Sequence, residues 1–244
     1  MPINRYGRST GIIDETGRTG ADRNGSGGRS GRRGRRLTGL GAVGVGYSLS
    51  WIAGLSVSAP SPAFGASGRQ IVTAFAGHGP ALATQFVLTE GLPAAGIAVV
   101  TVALASAARA RGEITAGRFA LASGLIAAII SVLQFGLGLL LATTSSPGTA
   151  HLAYAAVNRM DGGKMLALAV LGAAGAAMAL LPAWLRITGI ALAISITVSG
   201  VVYLLLLSWM TAAAGPALVL LLIFITGCGI IIGMQKSAAS RRDS

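Results

Sequence analysis

The chain has 244 residues, of which 53% are hydrophobic and only 11% charged, with 19 Lys and Arg against seven Asp and Glu. Several apolar runs approach the roughly 20 residues that cross a bilayer, so the composition excludes an ordinary soluble domain and predicts an all-α, polytopic transmembrane helix bundle. The net charge of +12 is no sign of nucleic-acid binding, because nine basic residues precede Leu37 and most of the others flank apolar runs, where they orient membrane helices. A single cysteine, Cys228, lies inside an apolar run and leaves no intrachain disulfide framework or cysteine metal cluster.

Residues 1–36 are rich in Gly and Arg with few large apolar side chains, so they cannot bury enough surface to offset chain entropy and are expected to be a disordered cytoplasmic tail. The basic cluster that ends the tail stands directly before an apolar run, where it suits contact with anionic lipid headgroups. The first span is predicted over 37–57. A small-x-small tripeptide, Ala63-Phe64-Gly65, raises a cleavable signal peptide as the competing reading, but a 21-residue run exceeds the roughly 7–15 residues of a signal core and favours a retained helix.

An external connection rich in Ser, Pro and Gly follows, with a short helix expected from Ser67 to Ala76. Its tetrapeptide Gly65-Ala66-Ser67-Gly68 matches the serine motif of rhomboid proteases, but Ser67 lies in a polar loop, as do both histidines, His78 and His151, and the match is rejected. Further spans are predicted over 81–108, 115–143, 165–183, 187–207 and 216–234, with a short cytoplasmic tail over 236–244. The segment from Thr144 to Lys164 is expected to be a second external loop with a short interfacial helix over Ala150 to Asn158. Ala169, Gly172, Ala176 and Ala179 form a small-residue face on the fourth span, and Gly229 and Gly233 have GxxxG spacing, surfaces suited to close helix approach or to homo-oligomer contacts. With both termini inside, the inner segments hold 16 Lys and Arg while the outer loops hold Arg69, Arg159 and Lys164. That bias predicts six spans with both ends in the cytoplasm of a cell inner membrane.

Glu90 stands apart from this apolar background. A carboxylate within a membrane helix costs about 2.5–3.5 kcal/mol on insertion scales and is retained where it faces protein or water. Pro93 and Gly91 beside it loosen the helix and predict a kink. Counting depth along antiparallel helices puts Glu90, Gln134 and Tyr203 in the outer half of the membrane, and Ser199 shares a face with Tyr203. Glu90, Gln134, Ser199 and Tyr203 are therefore the candidate polar intramembrane site, with His78 and His151 at its rim. Because no basic residue in a predicted span could pair with it, Glu90 is expected to be neutral and hydrogen-bonded to Gln134 or Tyr203.

The stretch TEGLPAAGIAVVTVALA, after an external loop with Gly-His-Gly, in a six-span Ala- and Gly-rich chain resembles uncharacterised small integral membrane proteins of high-GC bacteria over 37–235. That resemblance implies a multi-pass membrane location and brings no activity or catalytic residue. Neither a nucleophile and base pair nor a metal motif or phosphate loop is evident, so the expectation is a non-enzymatic membrane-embedded binding, sensing or structural protein without a cofactor. The alternative is a small solute or proton-coupled transporter that uses Glu90 in an outward-facing pocket.

Overall fold

A computed structural model describes residues 38–207 and 214–240. The expected disordered tail, the start of the first span at Leu37 and the last residues of the C-terminal tail lie outside the described residues. Among those described, the chain is helical and without strands. Its elements are α1 (Gly39–Leu55), α2 (Gly68–Phe75), α3 (Gly79–Ala110), α4 (Ile114–Thr143), α5 (Pro147–Ala176), α6 (Ala183–Leu204) and α7 (Ala214–Ser240).

Local sequence sets the ends of these helices. Thr38 caps α1 by accepting from Gly41 N at 3.2 Å. Ser67 and Gln70 form a reciprocal capping box on α2, so the serine of the Gly-Ala-Ser-Gly tetrapeptide serves as a helix cap. Ser146 caps α5, with Pro147 in the first turn, where a missing N–H is no loss. Pro182 precedes α6 in extended backbone, and the last turn of α5 is tied to the first turn of α6 through Arg186 Nε, which donates to Ala176 O at 2.9 Å.

Four of the helices, α3, α4, α6 and the Gly215–Ala238 part of α7, are long and apolar enough to cross a membrane. Large apolar side chains line the outward face of α4, with Phe119, Ile126, Ile129, Val132, Leu133 and Leu140 all exposed. From Phe119 to Leu140 the helix rises about 32 Å, which matches the roughly 30 Å hydrocarbon core of a bilayer. An apolar surface of that extent belongs against lipid. The fifth apolar helix, α1, has 17 residues, and α5 is as long as α4 but carries Arg159, Asp161 and Lys164.

The long helices close into a ring. Each packs on two neighbours in the order α1, α3, α4, α5, α6, α7 and back to α1, while α3 also touches α7 across the interior. Tyr47, Ile97, Leu104, Leu168, Leu171, Leu185, Leu192 and Phe224 fill the centre. The short α2 lies against α5 and builds a second apolar cluster from Ile71, Phe75, Leu82, Leu141 and Val157. On one side of the ring come together the C-terminal ends of α1, α4 and α6 and the N-terminal ends of α3, α5 and α7.

One expected loop is replaced by helix. Most of the segment from Thr144 to Lys164 and the first part of the span over 165–183 form instead the single 30-residue helix α5, from Pro147 to Ala176. Gly162 and Gly163 suggest a break in sequence, yet Gly162 lies where a Cβ would come within 2.7 Å of Gly200 O on α6. Close packing on α6 favours glycine there and outweighs its poor helix propensity. The same contact recurs two turns and more along: a Cβ on Gly189 would meet Gly172 O at 2.7 Å, and one on Gly172 would meet Gly189 O at 2.9 Å. The small-residue face of Gly172 and Ala176 is thus occupied by α6 of the same chain, and Gly229 and Gly233 approach α1.

Gly189→Ala is expected to lower stability by about 1–3 kcal/mol, because backbone cannot yield as a flexible side chain does. Gly46→Ala, with nothing within 4 Å of the new methyl, is expected to be neutral or mildly stabilising. Thermal unfolding of the detergent-purified proteins measures both, and equal melting temperatures for the two variants would refute the tight α5–α6 contact.

Candidate functional site

Glu90 sits at an irregularity in α3. Val87–Gly91 forms a π turn, in which Leu92 N donates to Val87 O, five residues back. Pro93 has no N–H to continue that pattern to Leu88, and the Leu88 carbonyl instead accepts from Ser50 Oγ on α1 at 2.6 Å. The expected kink at Gly91 and Pro93 thus takes the form of a widened turn whose open backbone is satisfied by a neighbouring helix. The widened turn presents Thr89 and Glu90 inward, both buried.

The partner of Glu90 is Lys164 on α5. Lys164 Nζ lies 2.7 Å from Glu90 Oε1 and 2.8 Å from Oε2, and 2.7 Å from Asp161 Oδ1 one turn earlier on its own helix. Glu90 and Lys164 are 5% and 4% exposed, which makes this an ion pair inside the ring, whereas the Asp161 side chain keeps 25% of its surface accessible. Ser131 on α4 lines the same cavity as Glu90. Lys164 also stands 6.0 Å from the Trp51 ring centroid, at the outer limit of a cation–π contact.

This arrangement corrects the expectation that Glu90 has no basic partner and bonds to Gln134 or Tyr203. It also removes Lys164 from the external loops and places it in the interior. The signal was the i, i+3 spacing of Asp161 and Lys164, which puts both on one helix face. The intervening Gly-Gly concealed it by suggesting a turn. The burial of Lys164 follows from charge: the cost of moving an ammonium out of water is offset only where carboxylates take up its donors.

The triad lies in the wall of a cavity of about 450 Å³ that reaches toward the side of the ring where α2 sits. Its wall combines Tyr47, Trp51, Phe86, Tyr154 and Tyr203 with Gln85, Thr89, Ser131 and Asn158. The segment between α1 and α2 supplies Pro60, Ser61 and Phe64. Phe64 packs edge-to-face on Tyr203 with centroids 5.2 Å apart, and the Tyr154 hydroxyl donates to Pro62 O, so aromatic side chains of α5 and α6 hold this segment over the cavity. Counted along α3, Glu90 lies about 16 Å from the helix start at Gly79.

Of the other expected site residues, Tyr203 joins Glu90 in the lining, while Gln134 and Ser199 are buried outside it. Gln134 Nε2 donates to Val157 O at 3.0 Å and links α4 to α5, and Ser199 Oγ donates to Ser195 O at 3.1 Å within α6. His78 and His151 are exposed and absent from the lining, His78 with Nδ1 3.0 Å from Ala76 O. Among the described residues there is no group of three or more His, Cys, Asp and Glu side chains placed to hold a metal ion. Comparison with protein-family models, with curated proteins and with solved structures finds no match to the chain.

Lys164→Met leaves Glu90 without its ammonium and is expected to cost about 3–5 kcal/mol, the penalty of an uncompensated buried charge. Adding Glu90→Gln to Lys164→Met is expected to recover most of that loss. Urea or thermal unfolding of both variants measures the coupling, and additive losses would show that the two side chains do not depend on each other.

Proposed function

We propose that the protein is a six-span cell inner membrane protein, both termini cytoplasmic, that binds a small molecule in this cavity from the outer side without chemical turnover. The observation that carries the reading is an aromatic-walled cavity with a buried, hydrogen-bonded ion pair in its wall. A cavity of this size with a few convergent polar groups is the usual form of a small-molecule site. Ionisable side chains are kept inside membrane proteins chiefly where they serve a binding or transport path. Binding is favoured over catalysis because the three donors of Lys164 are already directed at three carboxylate oxygens, which holds it as a fixed charge.

Charge asymmetry supports the orientation. With Arg159 and Lys164 both within α5, 16 Lys and Arg remain on the proposed inner side against Arg69 outside. The apolar length of α1, and the length of α5 with Asp161 and Lys164 turned inward, support counting both as spans beside the four apolar helices. The basic tail before α1 suits anionic headgroups of the inner leaflet.

Two measurements test this reading. A cytoplasmic reporter fused after Ser244 should be active and one inserted at Ser145 inactive; the reverse pattern refutes the orientation. Met165 lines the cavity and is half-buried. Met165→Cys should react with a small membrane-impermeant thiol reagent added outside, while the buried native Cys228 should not. Protection of Met165→Cys from the outside reagent would close the cavity to that side.

A second reading, proton- or solute-coupled transport, is favoured by the π turn and Pro93, since an interrupted helix beside an intramembrane carboxylate is a common feature of transporter binding sites. Reconstituted protein should then conduct a proton or solute flux that Glu90→Gln abolishes, because an amide cannot titrate. Flux unchanged by Glu90→Gln returns the residue to an architectural role.

A further inference from the structure

The chemical class of the ligand follows from how the triad distributes its charge and its donors. We infer that the cavity is selective for small organic cations, amines bearing an apolar body, with Asp161 as the group that receives the ammonium. The inference rests on the binding reading above and adds the ligand's charge to it.

Charge counting comes first. Glu90 and Asp161 bring two carboxylates to one ammonium, so the cluster carries one formal negative charge in excess. Donor counting gives the same direction. Lys164 has three N–H groups, and the three oxygens within 2.8 Å of Nζ are Glu90 Oε1, Glu90 Oε2 and Asp161 Oδ1. An anionic ligand would meet a cluster of its own sign and a lysine with no donor to spare. A cation meets acceptors: Asp161 engages Lys164 through Oδ1, its other oxygen has no hydrogen bond among the described residues, and its side chain is the most accessible of the three. Asp161 is in the cavity lining itself.

The walls agree with this assignment. The π faces of aromatic rings attract cations, more strongly where water is excluded. Tyr47, Trp51, Phe64, Tyr154 and Tyr203 contribute rings to the lining. Lys164 shows that an ammonium is tolerated here, since its own Nζ combines two carboxylates with the Trp51 face. A ligand amine placed against the second Asp161 oxygen would extend the same alternation of charge by one position. A metal ion fits less well, because an aromatic wall offers it few oxygen ligands. The volume of about 450 Å³ admits an amine with a ring or short chain attached.

The test uses three probes of nearly equal shape at pH 7: 2-phenylethylamine as the cation, 2-phenylethanol as the neutral form and phenylacetate as the anion. Isothermal titration calorimetry on the detergent-purified full chain should show the amine binding at least tenfold tighter than the carboxylate, with the alcohol between them. Asp161→Asn should weaken amine binding at least tenfold and narrow the difference among the probes. If phenylacetate or the alcohol binds as tightly as the amine, the cation inference fails while the binding cavity stands. If none of the three binds, the inference and the binding reading fail together. Amine binding unchanged by Asp161→Asn overturns the role of Asp161, and should that variant not fold, the amine-to-carboxylate ratio of the wild-type chain decides.

Discussion

A lysine ammonium inside a bundle of apolar helices is tolerated only if carboxylates reach it, and much of this structure can be understood as the means by which they do. Asp161 comes with Lys164 on the same helix, one turn away. Glu90 has to be brought from α3, and the π turn at Val87–Gly91 is the device that presents it. The turn in turn depends on Ser50 of α1, whose hydroxyl satisfies the carbonyl that Pro93 leaves open. Three helices are therefore tied to one ion pair: α3 and α5 through the charges, and α1 through the backbone behind Glu90.

Packing carries the rest of the architecture. Helices that face lipid gain little from the hydrophobic effect when they associate, so close backbone approach and dispersion must hold them. Gly162 against Gly200 and Gly172 against Gly189 let α5 and α6 run together over several turns. That contact fixes the height and rotation of α5, and with it the position of Lys164 opposite Glu90. Small residues and charged residues thus act on the same problem, one setting distance and the other requiring it.

Much of this was legible in the sequence. Apolar runs located the helices α1, α3, α4, α6 and α7 to within a few residues at most of their ends, and the cost of a carboxylate in an apolar run singled out Glu90. Pro93 and Gly91 marked the irregular turn, although no local rule distinguishes a π turn from a simple kink. The pairing of Glu90 was not legible, because Lys164 lies 74 positions away and beside a Gly-Gly pair that resembles a loop. Glycine has two opposite uses, as a breaker in water and as a contact surface between membrane helices, and only the neighbouring helix decides between them. Gln134 and Ser199 looked like site residues for a related reason: their depth was right, but rotation about the helix axis, which small errors of register change, directs them elsewhere.

The π turn also has a consequence for how this helix can vary. It holds one residue more than the α-helical turn it replaces, and each residue turns an α-helix by about 100°. Removing one residue between Val87 and Gly91 would restore regular geometry and, because the extra residue is absorbed within a single turn, would leave the segment from Gly79 to Phe86 in phase with the segment from Leu92 to Ala110. Leu82 and Phe86 would stay in the cluster beneath α2 and Ile97 and Leu104 in the centre of the ring, and the change would fall on the turn that presents Glu90 to Lys164. The residue count of this turn is thus set by the need to bring Glu90 to Lys164, and not by the packing of the helix on either side.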